Sequence, residues 1–178
     1  MHPNYPIVVV EHSEMGSHQF NETELALAEP LIRCTQSLRL DGSDGVGVVV
    51  PHRAQKALLR TKFPALAGVD AIDTVERFQG GERDVIIVSA TASDPDYVLA
   101  EADFLLNLNR LNVALSRPRK KLVVIASRSV TRLLLSDLQV FDNATIWKRL
   151  YFQYADQVLW QGKLNDVEVT VRGVHAGR

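Results

Sequence analysis

One cysteine, Cys34, in 178 residues excludes an internal disulfide framework and any zinc site built from several thiolates, and it suits a reducing cytoplasm. No apolar run approaches the roughly 20 residues needed to span a bilayer. The start, Met1-His2-Pro3-Asn4, has no basic segment followed by an apolar stretch. A soluble cytoplasmic protein without membrane contact is therefore expected. An excess of charge of one sign is also lacking: 20 Lys and Arg against 21 Asp and Glu leave a formal net charge of -1. Any nucleic-acid contact must come from a local patch rather than a cationic surface. There is no internal repeat and no low-complexity segment. A phosphate loop is missing too, for Gly42 and Gly47 have the right glycine spacing but Val48 follows where lysine is required. His12, Glu14 and His18 have a spacing that fits no compact metal site, so no metal is expected.

What is present is 46% hydrophobic, enough to bury one good core. Apolar runs alternate with segments of helical period, the pattern of an α/β protein with a mostly parallel sheet and helices on both faces. Strands are expected at 7–10, 46–50, about 69–75, 85–90 and 122–126. Helices are expected from Asn21 to about Leu40 and over 52–63, 104–116 and 131–138, with a loop at Asp94-Pro95-Asp96. After about Asp142 the character changes, with Trp147, Tyr151, Phe152, Tyr154 and Trp160 crowded together. The expected division is a domain over 1–140 and an aromatic-rich appendage over 141–178, packed on the core or on a partner.

Three constellations carry chemistry. In the helix 104–116, Phe104, Leu108, Leu111 and Leu115 form a buried stripe, while Arg110 and Arg117 share another side, roughly 10 Å apart along the axis. Pro118 disfavours helical geometry at Arg117 and stops the helix there. A guanidinium held at such an exit suits the spread charge of a transferring phosphoryl group, although a solvated basic helix end has the same pattern. In the second, 73–84, Thr74 through Glu82 are expected on the ligand-binding edge beyond the strand carboxyl ends. There Gly80 admits a close ligand and Glu82 accepts from hydroxyls; a hairpin at Gly80-Gly81 is the alternative. In the third, 48–55, a strand runs into a helix start that attracts phosphate, with Arg53, Lys56, Arg60 and Lys62 able to track a phosphodiester backbone.

Residues 46–55, 73–89 and 109–119 resemble motifs IV, V and VI of the C-terminal motor domain of superfamily 1 helicases, in the branch with the nonsense-mediated-decay RNA helicase and the Okazaki-fragment nuclease-helicase. Arg-Leu-Asn-Val-Ala-Leu-Ser-Arg at 110–117 is the most specific element. The resemblance is firm over 44–128 and looser over 5–32, including Asn21-Glu22-Thr23-Glu24. It implies a RecA-like, P-loop NTPase fold lacking the phosphate loop, the second half of an ATP-dependent motor. By the same resemblance Arg117 contacts the γ-phosphate, Glu82 holds the ribose, Gly80 admits the nucleotide and Arg110 braces motif VI. Thr74, Glu76, Pro51 and His52 lie on the nucleic-acid side. Gly81 and Pro118 depart from the residues that relatives often carry.

The implied cofactors are ATP and Mg2+, shared with an N-terminal RecA-like domain in cis or in trans; the other partner is single-stranded nucleic acid. No activity is expected from this chain alone. The alternative is a non-catalytic, helicase-derived module that binds nucleic acid or protein.

Overall fold

The computed structural model describes residues 4–37, 45–75, 77–78, 82–105, 107, 112, 114, 116–133, 145 and 147–176. Five strands run parallel: β1 (Ile7–His12), β2 (Val46–Val50), β3 (Ile72–Thr74), β4 (Arg83–Ser89) and β5 (Pro118–Ser127). An antiparallel hairpin of β6 (Gln157–Leu164) and β7 (Val167–Val174) completes one seven-stranded sheet in the order β3-β2-β4-β5-β1-β7-β6.

Every residue of β2 is buried, which is why the strand reads as an unbroken apolar run. Its side chains alternate between two cores. Val48 and Val50 join Ala28 and Ile32 of α1 (Glu22–Ser37), Leu59 of α2 (Arg53–Lys62) and Leu66 of α3 (Pro64–Gly68). Val49 points the other way, into a cluster with Val98 of α4 (Pro95–Ala100), Ala102 of α5 (Ala102–Leu105), Ala114, Val130, Trp147, Leu150 and Tyr151. The loop expected at Asp94-Pro95-Asp96 is instead the start of α4. Asp94 accepts a hydrogen bond from the backbone N–H of Tyr97 at 2.8 Å, and Pro95 occupies the first turn, where its missing N–H costs nothing.

Asn112 and Ala114 are helical, while Arg110 and most of the expected 104–116 helix lie outside the described residues. The hairpin alternative at 80–81 does not apply, because β2 lies between β3 and β4 and all three are parallel.

The C-terminal aromatics divide. Trp147 and Tyr151 are buried, the latter in a π-helical segment Arg149–Tyr154, whereas Phe152, Tyr154 and Trp160 are exposed. β7 pairs with β1 along its length, Ile7 opposite Val174, and the N–H of Ala176 donates to the carbonyl of Asn4 at 2.8 Å. The segment is tied further by Glu11 of β1, which is fully buried. Its carboxylate accepts from Arg132 at 2.6 and 3.1 Å, Thr131 Oγ1 at 2.6 Å and Tyr151 Oη at 2.9 Å. Burial alone pushes this carboxyl up, but the hydrogen bonds from Arg132, Thr131 and Tyr151 outweigh it and hold it below the ordinary glutamate range.

A folded value below the unfolded one means that Glu11 stabilises the fold fully at neutral pH. The contribution is lost as pH falls from the ordinary glutamate range through the lowered value. Glu11→Gln is expected to cost about 2 kcal/mol at pH 7. Urea unfolding should show that difference shrinking in acid. A second prediction concerns Gly47 in β2, where an added Cβ would lie 2.5 Å from Phe78 Cζ and 3.0 Å from Ile86 Cδ1. Gly47→Ala is expected to destabilise the domain by about 1–3 kcal/mol through overpacking, read as a lowered denaturation midpoint.

Candidate functional site

The candidate residues fall on two opposite edges of the sheet. Glu82 and Arg117 each precede a strand, and those strands are neighbours with Arg83 opposite Pro118. The N–H of Arg83 donates to the carbonyl of Arg117 at 3.1 Å. Both residues therefore stand at the amino edge, one strand spacing apart. Arg117 is half-buried, and its buried Nε has no hydrogen-bond partner among the described residues. Glu82 is exposed and pairs with Arg119 Nε at 3.0 Å. So exposed a pair contributes little, and a competing hydroxyl displaces Arg119 at small cost.

Thr74, Pro51 and His52 lie at the carboxyl edge, with Thr74 opposite Val50. The expectation that Thr74 through Glu82 share one edge is thus corrected. Glu82 sits about seven residues before the level of Thr74 along β4, roughly 20 Å away. The reason is topological: a segment joining two parallel strands must return to the amino edge, so its last residue belongs to the far end. Glu76 and Gly80, within that segment, lie outside the described residues.

At the carboxyl edge an open groove of about 500 Å³ is lined by Arg53, Lys56, Arg60, Arg77, Asp73 and Thr74. Asp73 is bound by Lys56 at 2.6 Å and by the N–H of Thr74 at 2.6 Å. Burial raises this carboxyl, but the Lys56 hydrogen bond, the Thr74 N–H and the charges of Lys56 and Arg77 lower it further, so it stays ionised. Asp70 pairs with Arg60 at 3.3 Å, so two carboxylates meet four cations, and the groove keeps a positive excess. The N-terminus of α2 opens here with no acidic residue in its first turn and no side-chain cap, which leaves its N–H groups directed at the same rim. Thr74 and His52 are buried; the His52 ring stacks on Phe104 with centroids 5.3 Å apart.

The family model described as AAA domain matches residues 7–129. The chain belongs to the AAA domain family. Within it, this is a C-terminal helicase domain of the superfamily 1 type with a RecA-like fold. It is 36% identical over 124 residues to the DNA polymerase alpha-associated DNA helicase A of Saccharomyces cerevisiae, covering 67% of this chain and 17% of the relative. To Regulator of nonsense transcripts 1 of Dictyostelium discoideum it is 28% identical over 167 residues, 89% of this chain and 11% of the relative. To the DNA replication ATP-dependent helicase/nuclease DNA2 of Saccharomyces cerevisiae it is 31% identical over 162 residues, 89% of this chain and 10% of the relative. The chain spans 10–17% of the length of these three relatives.

The helicase domain holds its carboxyl edge together with a buried polar network that the motif reading passed over. Asn21 caps α1, its Oδ1 accepting from the N–H of Glu24 at 2.9 Å. Glu24, fully buried, accepts from the Ser89 hydroxyl, from the N–H of Thr91 at 2.9 Å and contacts His12 Nε2 at 3.1 Å. Gln55 of α2 bonds both the N–H of Asn21 at 2.8 Å and its carbonyl at 3.2 Å. The signal was visible as Asn followed three residues later by Glu, half of a helix-capping pattern. Arg77 and Arg119 were also missed as site residues, although both lie within the stretches 73–89 and 109–119.

Among the described residues no cluster of three or more His, Cys, Asp or Glu forms a metal cage, and no helix is long and apolar enough to cross a membrane. Glu24→Gln should remove acceptors from buried donors on β4 and the Thr91 segment, lowering stability by about 1.5–3 kcal/mol in a urea titration with an unchanged slope.

Proposed function

We propose that this domain is the second motor lobe of an ATP-dependent helicase, supplying Arg117 as an arginine finger to ATP and Mg2+ held chiefly by an N-terminal RecA-like lobe. The observation that carries the reading is the placement of half-buried Arg117 one strand away from the exposed carboxylate of Glu82. A guanidinium held at that edge suits an outside anion, and a carboxylate beside it suits a sugar hydroxyl. These residues fit a nucleotide: Arg117 would hold the terminal phosphate and Glu82 the ribose. The triphosphate supplies the phosphoryl chemistry when bound, and Arg117 neutralises charge there. Arg119 releases Glu82 when the ribose hydroxyls take its place.

The carboxyl edge is the proposed track for single-stranded nucleic acid. Arg53, Lys56, Arg60 and Arg77 would meet phosphates there, above Thr74. With no phosphate loop in its sequence, the chain by itself should hydrolyse no ATP. In a protein joining it to its first lobe, Arg117→Ala is expected to lower ATP turnover by about 10³-fold or more while nucleotide affinity changes far less. A phosphate-release assay at saturating ATP measures this. Unchanged turnover would transfer the case to a non-catalytic module that binds nucleic acid or protein.

A further inference from the structure

A second cavity lies at the carboxyl edge, on the other side of the first turn of α2. It measures about 580 Å³ and is lined by Gly16, Ser17, His18, Gln19, Phe20, Ala54 and Tyr97. Arg53 lines the basic groove and Ala54, the next residue, lines this one, so the two cavities share a ridge. Their chemistry differs. The basic groove is built from cations, whereas this one is walled by aromatic rings. His18 stacks on Tyr97 with centroids 4.6 Å apart and planes 6° from parallel. The Phe20 ring is 55% exposed. Ala54, small and exposed, leaves the floor open.

The loop carrying these rings is held in place before any ligand arrives. Ser93 Oγ accepts from the N–H groups of Gly16 at 3.2 Å and Ser17 at 2.8 Å. The carbonyl of Ser17 accepts in return from the N–H groups of Ser93 at 2.8 Å and Asp94 at 3.1 Å. Gly16 adopts φ of +141°, a conformation that a side chain would resist, and this turns the chain so that residues 18–20 face α4. His18 lies 3.9 Å from Asp94. The loop backbone beside His18 is fixed by four hydrogen bonds and the His18 ring by its stack on Tyr97, so these rings lose little freedom when a base stacks on them.

We propose that this groove is a stacking site for a base of single-stranded nucleic acid whose neighbouring phosphates lie in the Arg53, Lys56, Arg60 and Arg77 groove. The proposal rests on the nucleic-acid reading of the carboxyl edge and gives it a second contact of different chemistry. Phosphates are charged and bases present flat π faces. A strand crossing the ridge of α2 offers each to the cavity that matches it. Stacking on aromatic rings accepts any base, so the contact adds affinity and position on the strand without sequence preference.

The test uses the whole 178-residue chain with two oligonucleotides of equal length, one an oligothymidylate with a central 2-aminopurine and the other abasic throughout. The unaltered chain should quench 2-aminopurine fluorescence and bind the base-bearing strand more tightly. Phe20→Ala and His18→Ala, both at exposed rings, should weaken that binding about tenfold, abolish the quench and leave abasic binding unchanged. Tyr97→Leu, checked by thermal melting because Tyr97 also touches the core, should act alike. Arg53→Ala and Arg77→Ala should weaken both strands equally. If the aromatic variants bind both strands as the unaltered chain does while the arginine variants do not, the stacking site is overturned and the phosphate track stands. If the unaltered chain binds neither strand, the track and the stacking site fall together.

Discussion

A parallel strand cannot be reached by a tight turn, and the arrangement of both candidate sites follows from that constraint. The chain leaves β3 at the carboxyl edge beside Thr74 and must enter β4 at the amino edge beside Glu82. In crossing, it lays Val75 and Phe78 into the core. The Phe78 ring rests against Gly47 of β2, where no side chain blocks it, and Arg83 stands 5.9 Å above the same ring. One short segment therefore touches the basic groove at one end and the Arg117 edge at the other.

The carboxyl edge is stiffened by burying polar groups, which is costly unless every one is bonded. Glu24 meets that condition for its own oxygens by drawing donors from β4, the Thr91 segment and β1 at once, while Nδ1 of His12 has no partner among the described residues. Thr91 adopts φ of +69°, unusual for a β-branched residue. It is held there by its N–H on Glu24 and its carbonyl on Asn21 Nδ2 at 3.0 Å. Gln55 extends the network into α2, so the helix bearing the cations is fixed by groups that never reach solvent. Positioning of this kind suits a surface that must present several charges at constant spacing.

Much of the fold was legible because buried parallel strands betray themselves as apolar runs: Val46–Val50 matches its expected bounds, β5 lengthens its own, and β4 starts two residues earlier and ends one earlier than expected. The Arg117 exit was equally plain, since a proline disfavours helical geometry at the residue before it, and β5 does begin at Pro118. The placement of Glu82 was not, because nearness in sequence to β3 suggested the wrong end of the sheet. Nor was the β6–β7 hairpin: its turn at Asn165-Asp166 lacks the glycine that usually marks such turns, though Asn165 takes the left-handed φ of +54° that the geometry requires. The aromatic groove escaped for a different reason. His18, Phe20 and Tyr97 come together through the Ser93–Ser17 bonds, which join segments some 75 residues apart and leave no local pattern.

The pairing of β1 with β7 has a mechanical corollary. Because Asn4 and Ala176 meet through a backbone hydrogen bond, polypeptide attached before one and after the other departs from neighbouring strands at one end of the sheet. Tension applied across those two attachments would peel the antiparallel ladder rung by rung, beginning at Ile7 and Val174, instead of shearing all its bonds together. Arg117 and the groove cations lie on the far side of β1 from that ladder.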